Sequence, residues 1–424
     1  MDPKAARCDC VTVWGAQGSS DAYAIRDFLA RSVVTYVWNA LRSDNEAAAL
    51  PGVRALDDAR LPLVVMPDGT RLFGATVRQL AEQLGFVNKP KYDEYDLSIY
   101  GAGPAGLSAA VYGASEGLRT VLIERHAVGG QAGSSSLIEN YMGFPEGVSG
   151  ATLAERAREQ AVRFGAEILQ MREGVNATFR DGKIWADLAD GSQLVARSNI
   201  CATGVEWRRL GLPNESTFLG RGVYYGAGAS EAPLCVGKTV YVVGGGNSAG
   251  QAAMHFAAHA DAVVLLVRGA SLAATMSSYL VEKLAKAGNI EIRTSTTVVD
   301  LHGGDSLEAI VVAEGPDGDA RTLPTSRLFI CIGGVPHTEW AKDTDIVRDD
   351  AGYLVTGRDL FGDRGQTPAC WTLEREPHFL ETSVPGSFAA GDVRHGSIKR
   401  VASAAGEGAM AVAFVHRFLL EDAS

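Results

Sequence analysis

The sequence predicts an α/β protein with two dinucleotide-binding βαβ units behind a small N-terminal αβ domain. Three observations predict it. A β-type run ending at Tyr100 leads into Gly101-Ala102-Gly103-Pro104-Ala105-Gly106 and then a helix-forming stretch, Leu107 to Glu116. A second β-type run, Thr239 to Val243, leads into Gly244-Gly245-Gly246-Asn247-Ser248-Ala249 and a helix to about Ala258. Ahead of both, residues 1–88 alternate strand-like and helix-like stretches.

In the first unit the glycines have separate tasks. Gly101 makes the tight turn, Gly103 lets backbone approach a pyrophosphate, and Gly106 lets helix pack on strand. Pro104 and Ala105 complete the loop, and the helix N-terminus faces the phosphates. A strand from Thr120 to Ile123 ends at Glu124, about 20 residues on, where an acid takes ribose hydroxyls. In the second unit Ala249 replaces the third glycine, as the motif allows. Its second strand, Ala262 to Val267, ends at Arg268 instead of an acid. An acid repels a 2′-phosphate and an arginine receives it, which favours NADPH over NADH. Gly244, Gly246, Asn247, Ser248, Ala249 and Arg268 are the expected contacts. Two units imply two nucleotides, a flavin one and a nicotinamide one.

Composition bounds the remaining classes. A chain of 424 residues should hold two or three domains. A net charge of −11 argues against nucleic acid or an anionic membrane as partner. No run approaches the roughly 18 apolar residues of a spanning helix. The start, Met1-Asp2-Pro3-Lys4, has no apolar leader core, so a cytoplasmic location is expected. The six cysteines, Cys8, Cys10, Cys201, Cys235, Cys331 and Cys370, form no C-x-x-C and no zinc spacing. They are expected to be reduced and mostly buried, with no metal site.

Within residues 1–88, Cys10 to Trp14 reads as a strand and Asp21 to Arg31 as a helix with Ile25, Phe28 and Leu29 on one face. Strands follow at Val33 to Trp38 and Leu61 to Met66, then a turn at Pro67-Asp68-Gly69 and a helix from Thr76 to Leu84. This order resembles the glutaredoxin/thioredoxin fold, whose C-x-x-C at a helix N-terminus faces a cis-proline. The resemblance puts Pro62 at the proline and Ser19-Ser20-Asp21-Ala22 at the cysteine motif, where no sulfur is present to activate. It implies a degenerate thioredoxin-like module used for docking or dimer contacts.

A polar linker around Asn88-Lys89-Pro90-Lys91 precedes the first βαβ unit. Beyond that unit lie Gly129-Gly130-Gln131, the run Ile138 to Pro145, a helix from Thr152 to Phe164, and an alternating meander from Ile168 to Ser198. A separate strand is expected from Asn199 to Thr203. After the second unit come a strand from Arg327 to Gly333, the segment Gly386 to Val393, and a helix of small residues from Ser397 to Leu419. An aspartate between strand and small-residue helix can hydrogen-bond a polyol.

From Asp96 to Leu420 the sequence resembles the low-molecular-weight thioredoxin reductases. The matching motifs are GxGPAG at Gly101–Gly106, GGQ at Gly129–Gln131, the IENYMGFP run, GGGNSA at Gly244–Ala249 and GxFAAGD at Gly386–Asp392. The resemblance implies two Rossmann-like domains: a split FAD domain at 95–215 and 338–424, with an inserted NAD(P)H domain at 216–337. It implies FAD and NADPH as cofactors and a homodimer. Carried across, Glu124 binds the adenosine ribose, Gly130, Gln131 and Asn140 lie along the flavin, and Gly391 and Asp392 hold the ribitol chain. A thioredoxin-like module in front also resembles the flavoprotein component of alkyl hydroperoxide reductase, which carries working cysteines.

The departures matter as much. After the family's G-V-x-Y run, here Gly222 to Tyr225, the redox C-x-x-C is replaced by Gly226, Ala227, Gly228 and Ala229. No catalytic cysteine pair is therefore expected, because dithiol relay needs a thiolate and a disulfide at each station. Gly269 and Ala273 stand where the family's nucleotide-binding arginines are expected. The segment Asp359 to Pro377 is extra and reads as a surface loop. Lys399-Arg400-Val401 occupies the place of the family's Arg-Gln pair, and Arg400 is hypothesised to stabilise negative charge on reduced flavin. Replacing Arg400 with Gln is then expected to lower the flavin reduction potential in an equilibrium redox titration, and an unchanged potential rejects the assignment.

The expectation is an FAD enzyme that takes hydride from NAD(P)H and passes electrons directly to an unidentified acceptor: a protein, a quinone, oxygen or a small disulfide. The rivals are a thioredoxin-disulfide reductase with non-standard cysteines and a non-catalytic redox-sensing flavoprotein.

Overall fold

The computed structural model describes residues 10–226, 228–315, 318–361, 371 and 373–422. The chain divides into two units, one of residues 1–84, 135–137 and 207–333, the other of 85–134, 138–206 and 334–424. It passes between them at 206/207 and 333/334, before the boundaries expected at 216 and 337. The strands at those passages, Val205–Trp207 and Gly334–Pro336, pair with each other.

The first unit begins with a four-stranded sheet in the order Tyr36–Leu41, Val11–Ala16, Leu63–Val65, Arg71–Leu72. The first pair is parallel and the other two are antiparallel. Helix Ser20–Arg31 buries Ile25, Phe28 and Leu29, the face expected from their spacing. The Leu61–Pro62 peptide is cis. The second strand starts three residues later than its sequence reading, at Tyr36. The helix ends there in a left-handed residue, Val33 at φ 53°, and the Val34 amide reaches the Leu29 carbonyl at 2.9 Å, a termination that keeps 32–35 out of the sheet.

Residues 207–333 form a five-stranded parallel sheet in the order Val223–Tyr225, Leu328–Ile330, Thr239–Val243, Ala262–Leu266, Ile290–Arg293. A three-stranded antiparallel sheet, Thr296–Gly303, Leu307–Glu314 and Ala320–Pro324, and helix Ser278–Lys286 complete it.

In the second unit a seven-stranded sheet runs Glu167–Gln170, Thr120–Glu124, Tyr95–Tyr100, Gln193–Cys201, Lys183–Leu188, Gly174–Arg180, with Ser387–Ala389 also paired to Gln193–Cys201. The expected break at Asn199 is corrected: one strand serves three neighbours. Gln193 to Ala196 pair antiparallel with the meander, and residues to Cys201 continue parallel to Tyr95–Tyr100. Helices Pro104–Ser115, Gly150–Arg163 and Val401–Asp422 cover this sheet's core around Leu97, Ile99, Leu122, Phe388 and Val415. The first starts at Pro104, earlier than expected at Leu107, because proline at the first helical position loses no hydrogen bond.

Trp371 corrects the surface-loop reading of Asp359 to Pro377. It is buried and donates from Nε1 to the Arg375 carbonyl at 2.8 Å; 362–370 and 372 lie outside the described residues. Among the described residues no helix is long and apolar enough to cross a membrane, and no group of three metal-ligating side chains occurs.

Candidate functional site

The first fingerprint turn is held by its surroundings. Gly101 has φ +99°, and a Cβ there would lie 2.4 Å from the Ala202 carbonyl oxygen. A Cβ on Gly106 would lie 1.8 Å from the Gly101 oxygen, so the helix packs on the strand at backbone contact. Gly103 is the helix N-cap with no side-chain cap, and a Cβ there would meet only Gly130 Cα at 4.0 Å. The first-turn amides therefore face an open cradle walled by Gly103 and Gly130, the shape and polarity a pyrophosphate requires. The Glu124 carboxylate is buried at the end of its strand. It accepts from the Ala102 amide and from the His126 amide, each at 2.8 Å. Each carboxylate oxygen has further acceptor capacity for ribose hydroxyls.

The C-terminal segment closes on this loop. A Cβ on Gly391 would lie 2.9 Å from Ala105 Cβ, and one on Gly408 would lie 2.0 Å from the Ala105 oxygen. Glu407, which the sequence reading missed, accepts from the Gly391 amide at 2.7 Å and pairs with Arg394 at 2.6 Å. Its signal was its standing as an acid within a helix otherwise rich in small residues. Asp392 is half-buried, and burial raises its pKa while Lys399 opposes the rise. Lys399 donates from Nζ to the Asp392 carbonyl at 2.7 Å. Arg400 is exposed just ahead of helix Val401–Asp422, and its guanidinium donates to the Lys399 carbonyl at 2.9 Å. The Gln131 amide donates to the Val205 carbonyl at 2.9 Å, and Asn140 is exposed. The fold thus brings Gly101–Gly106, Gly130, Gly391 and the start of the last helix to one place.

The second fingerprint repeats the design. Gly246 caps helix Asn247–Ala257 without a side-chain cap bond, and a Cβ there would meet only the Thr275 oxygen at 3.9 Å. A Cβ on Gly244 would lie 2.2 Å from the Cys331 carbonyl oxygen. Asn247 exchanges hydrogen bonds with Ser277 at 2.8 and 2.9 Å, and Thr275 donates to the Gly245 carbonyl at 2.7 Å. These braces come from a loop the sequence reading left unassigned. Ser248 and Arg268 are exposed at the rim, and Ala249 is buried against the sheet.

The described thiols offer no nucleophile. Cys10 is disulfide-bonded, which corrects the expectation of six reduced thiols. Pairing depends on distance in space, which scattered sequence positions do not reveal. Cys201, Cys235 and Cys331 are free and buried. Burial pushes Cys235 up to about 11 and Cys201 and Cys331 up to about 12. Of Gly226–Ala229, Ala227 and the side chain of Ala229 lie outside the described residues. At Gly228 a Cβ would lie 2.3 Å from the Phe329 ring. At pH 8 the Cys235 thiolate is on the order of one part in a thousand, because each unit below the pKa costs tenfold. All three thiols are expected to react with N-ethylmaleimide at least 100-fold more slowly in the folded protein at pH 8 than in urea, and faster as pH rises. Peptide mass mapping checks this, and rapid labelling of any one refutes it.

Two glycine-walled dinucleotide cradles, one with a ribose-facing acid and one with an arginine at its rim, define a flavin-dependent NAD(P)H oxidoreductase. The chain belongs to the pyridine nucleotide-disulphide oxidoreductase family, whose model matches residues 95–408. It is 35% identical over 318 residues to thioredoxin reductase of Treponema pallidum, covering 75% of this chain and 95% of that one. It is 32% identical over 332 residues to thioredoxin reductase 1 of Saccharomyces cerevisiae, covering 76% and 97%. Among solved structures it is similar to the Lactococcus lactis thioredoxin reductase in its FR conformation (TM-score 0.68, 27% identity, 77% of this chain and 99% of that one). The T. acidophilum thioredoxin reductase also matches at TM-score 0.68, with 28% identity and coverage of 78% and 100%. FAD and NADPH are the cofactors of this family, and the cradles fit them.

Proposed function

We propose that this protein oxidises NADPH and passes two electrons through FAD directly to an acceptor, without a redox disulfide in the relay. The observation that carries the reading is the state of the sulfurs. The expected cysteine motif holds none, and the free thiols among the described residues are buried with strongly raised pKa values. Bound flavin supplies hydride acceptance at the nicotinamide and electron transfer onward. The chain's own residues bind and orient. Gly101, Gly103 and Gly106 receive the pyrophosphate, Glu124 the ribose, and Gly391 with Asp392 the ribitol chain. Gly130, Gln131, Asn140, Arg400 and Val401 border the ring, and Gly244 to Ala249 with Arg268 hold NADPH.

Residues 10–84 are read as a degenerate thioredoxin-like module. Its strand order, its one parallel and two antiparallel pairings, and Pro62 just before the third strand support this. Where an active thiol would sit, Ser19 Oγ instead caps the helix by accepting from the Ala22 amide at 3.2 Å. The reading includes a cytoplasmic homodimer, on the sequence resemblance.

The test is an anaerobic titration with NADPH. Full bleaching of the flavin band at one equivalent per flavin is expected. A second equivalent consumed before full bleaching would bring the Cys10 disulfide into the relay and overturn the reading. No bleaching with NADPH or NADH would favour a redox sensor.

A further inference from the structure

Helix Ser20–Arg31 belongs to the same unit as residues 207–333, and it packs on Gly220, Tyr224 and Glu231, which stand on either side of the segment in the place of the expected cysteine motif. Ser20 packs on Gly220, where a Cβ would lie 3.1 Å from Ser20 Cα and 3.3 Å from Ser20 Cβ. One turn on, the Tyr23 and Tyr224 rings meet edge to face at 5.0 Å. Tyr224 stacks on Phe329 at 5.1 Å, and Phe329 meets Phe256 at 3.9 Å, so an aromatic column continues from the module into the core of the nucleotide domain. Another turn on, Arg26 pairs with Glu231 at 2.8 Å, with side chains 6% and 1% exposed, and Arg26 also lies over the Trp38 ring at 4.6 Å.

Two dithiol sites have been vacated, Ser19–Ala22 on one side and Gly226–Ala229 on the other. Ser20, inside the first, and Tyr23 and Arg26, just beyond it, contact Gly220, Tyr224 and Glu231, which flank the second. Dithiol exchange needs the sulfurs of two stations to touch. A protein bringing its disulfide to 226–229 would therefore have to sit where this module sits. A transient docking face is wet and weakly charged at its centre. This one packs the Tyr23 ring on Tyr224 and removes the Arg26–Glu231 pair from water, so its centre resembles the core-like interface of a permanent contact.

We infer that the module is a permanent occupant of this face, closing it to external disulfide-bearing proteins throughout turnover, and that the electron acceptor is a small molecule. The inference rests on the direct-oxidation reading above and names its acceptor class. NADPH, one proton and a quinone give NADP⁺ and the quinol, with two electrons transferred and no protein thiol oxidised or reduced.

The test locks the contact in the full-length FAD-loaded protein. Ser20→Cys with Gly220→Cys places two Cβ atoms about 3.3 Å apart, close to disulfide distance. The crosslink is expected to form on oxidation, seen on a non-reducing gel and by peptide mapping. NADPH-dependent menadione reduction by the locked protein is expected to stay within twofold of the same protein after phosphine reduction. A tenfold loss on locking, with bleaching by NADPH intact, means that the module leaves the face during turnover and overturns the inference. Wild-type reduction of oxidised thioredoxin at a rate comparable with menadione also overturns it.

Gly220 has φ +72°, so the cysteine there carries strain, and a second pair of variants is independent of it. Glu231→Gln is expected to speed hydrogen exchange across Ser20–Arg31 at least tenfold, and Arg26→Met with Glu231→Leu to restore slow exchange. Unchanged exchange in Glu231→Gln refutes permanent docking through this pair. Failure of the wild-type flavin to bleach would instead remove the functional reading, leaving crosslinking and exchange to judge the contact.

Discussion

Gly106→Ala is expected to destabilise the FAD unit by about 3 kcal/mol, near the top of the range for overpacking a well-packed contact. The new Cβ would lie 1.8 Å from the Gly101 oxygen, and that oxygen is backbone held by the turn beneath. A flexible side chain could swing aside; here either the helix must lift off Tyr95–Tyr100 or the turn must unwind. Both movements open the pyrophosphate cradle. The thermal midpoint should fall by about 6–12 °C for a unit of this size, and the protein should purify with well under one FAD per chain. Gly288→Ala is the control. It is exposed with nothing within 4 Å of its Cβ position, so its change should stay within about 0.5 kcal/mol. Normal FAD content and stability in Gly106→Ala would show that the turn yields and that the third glycine is dispensable.

Arg375→Met is expected to cost about 3–5 kcal/mol, the range for stranding one member of a buried ion pair. Glu381 is fully buried and accepts from Arg375 Nη1 at 2.7 Å and Nη2 at 3.0 Å, from the His378 amide at 2.9 Å and from the Gly386 amide at 3.1 Å. Removing the guanidinium leaves the two amides but no cation. Glu381 organises the chain just before Ser387–Ala389 and Gly391, so the loss should appear as lower urea resistance and weaker FAD retention together. Arg375→Met with Glu381→Gln removes the charge and keeps an amide oxygen for one backbone donor. It should recover part of the loss but not all, since an unmet buried amide still costs about 1–3 kcal/mol. A double variant no better than the single would show that the charge is not what matters.

Much of the fold was legible because its instructions are local. Each βαβ unit is encoded in about thirty residues, with glycines at fixed short spacing in its turn. The helix face of Ile25, Phe28 and Leu29 follows from periodicity alone. The reading failed where a choice depended on distant partners. Asn199–Cys201 was split from its strand because its pairing neighbours, Tyr95–Tyr100 and Ser387–Ala389, lie about a hundred residues before it and nearly two hundred after it in sequence. Trp371 looked exposed until Arg375 and the buried chain around it were placed. The antiparallel sheet from Thr296 to Pro324 alternates too irregularly, with two register shifts, to announce itself.

The sequence by itself determined the two nucleotide cradles and the absence of sulfur from Gly226 to Ala229, since each is a matter of residue type at short spacing. Only the tertiary structure decided that Glu407 backs the Gly391 turn, that Cys10 is bridged, and that helix Ser20–Arg31 packs on Gly220, Tyr224 and Glu231. Arg26 and Glu231 are separated by some two hundred residues, and nothing in either neighbourhood distinguishes a solvated charge from a buried one. The difference arises when two surfaces exclude water together and each charge takes the other in place of its hydration.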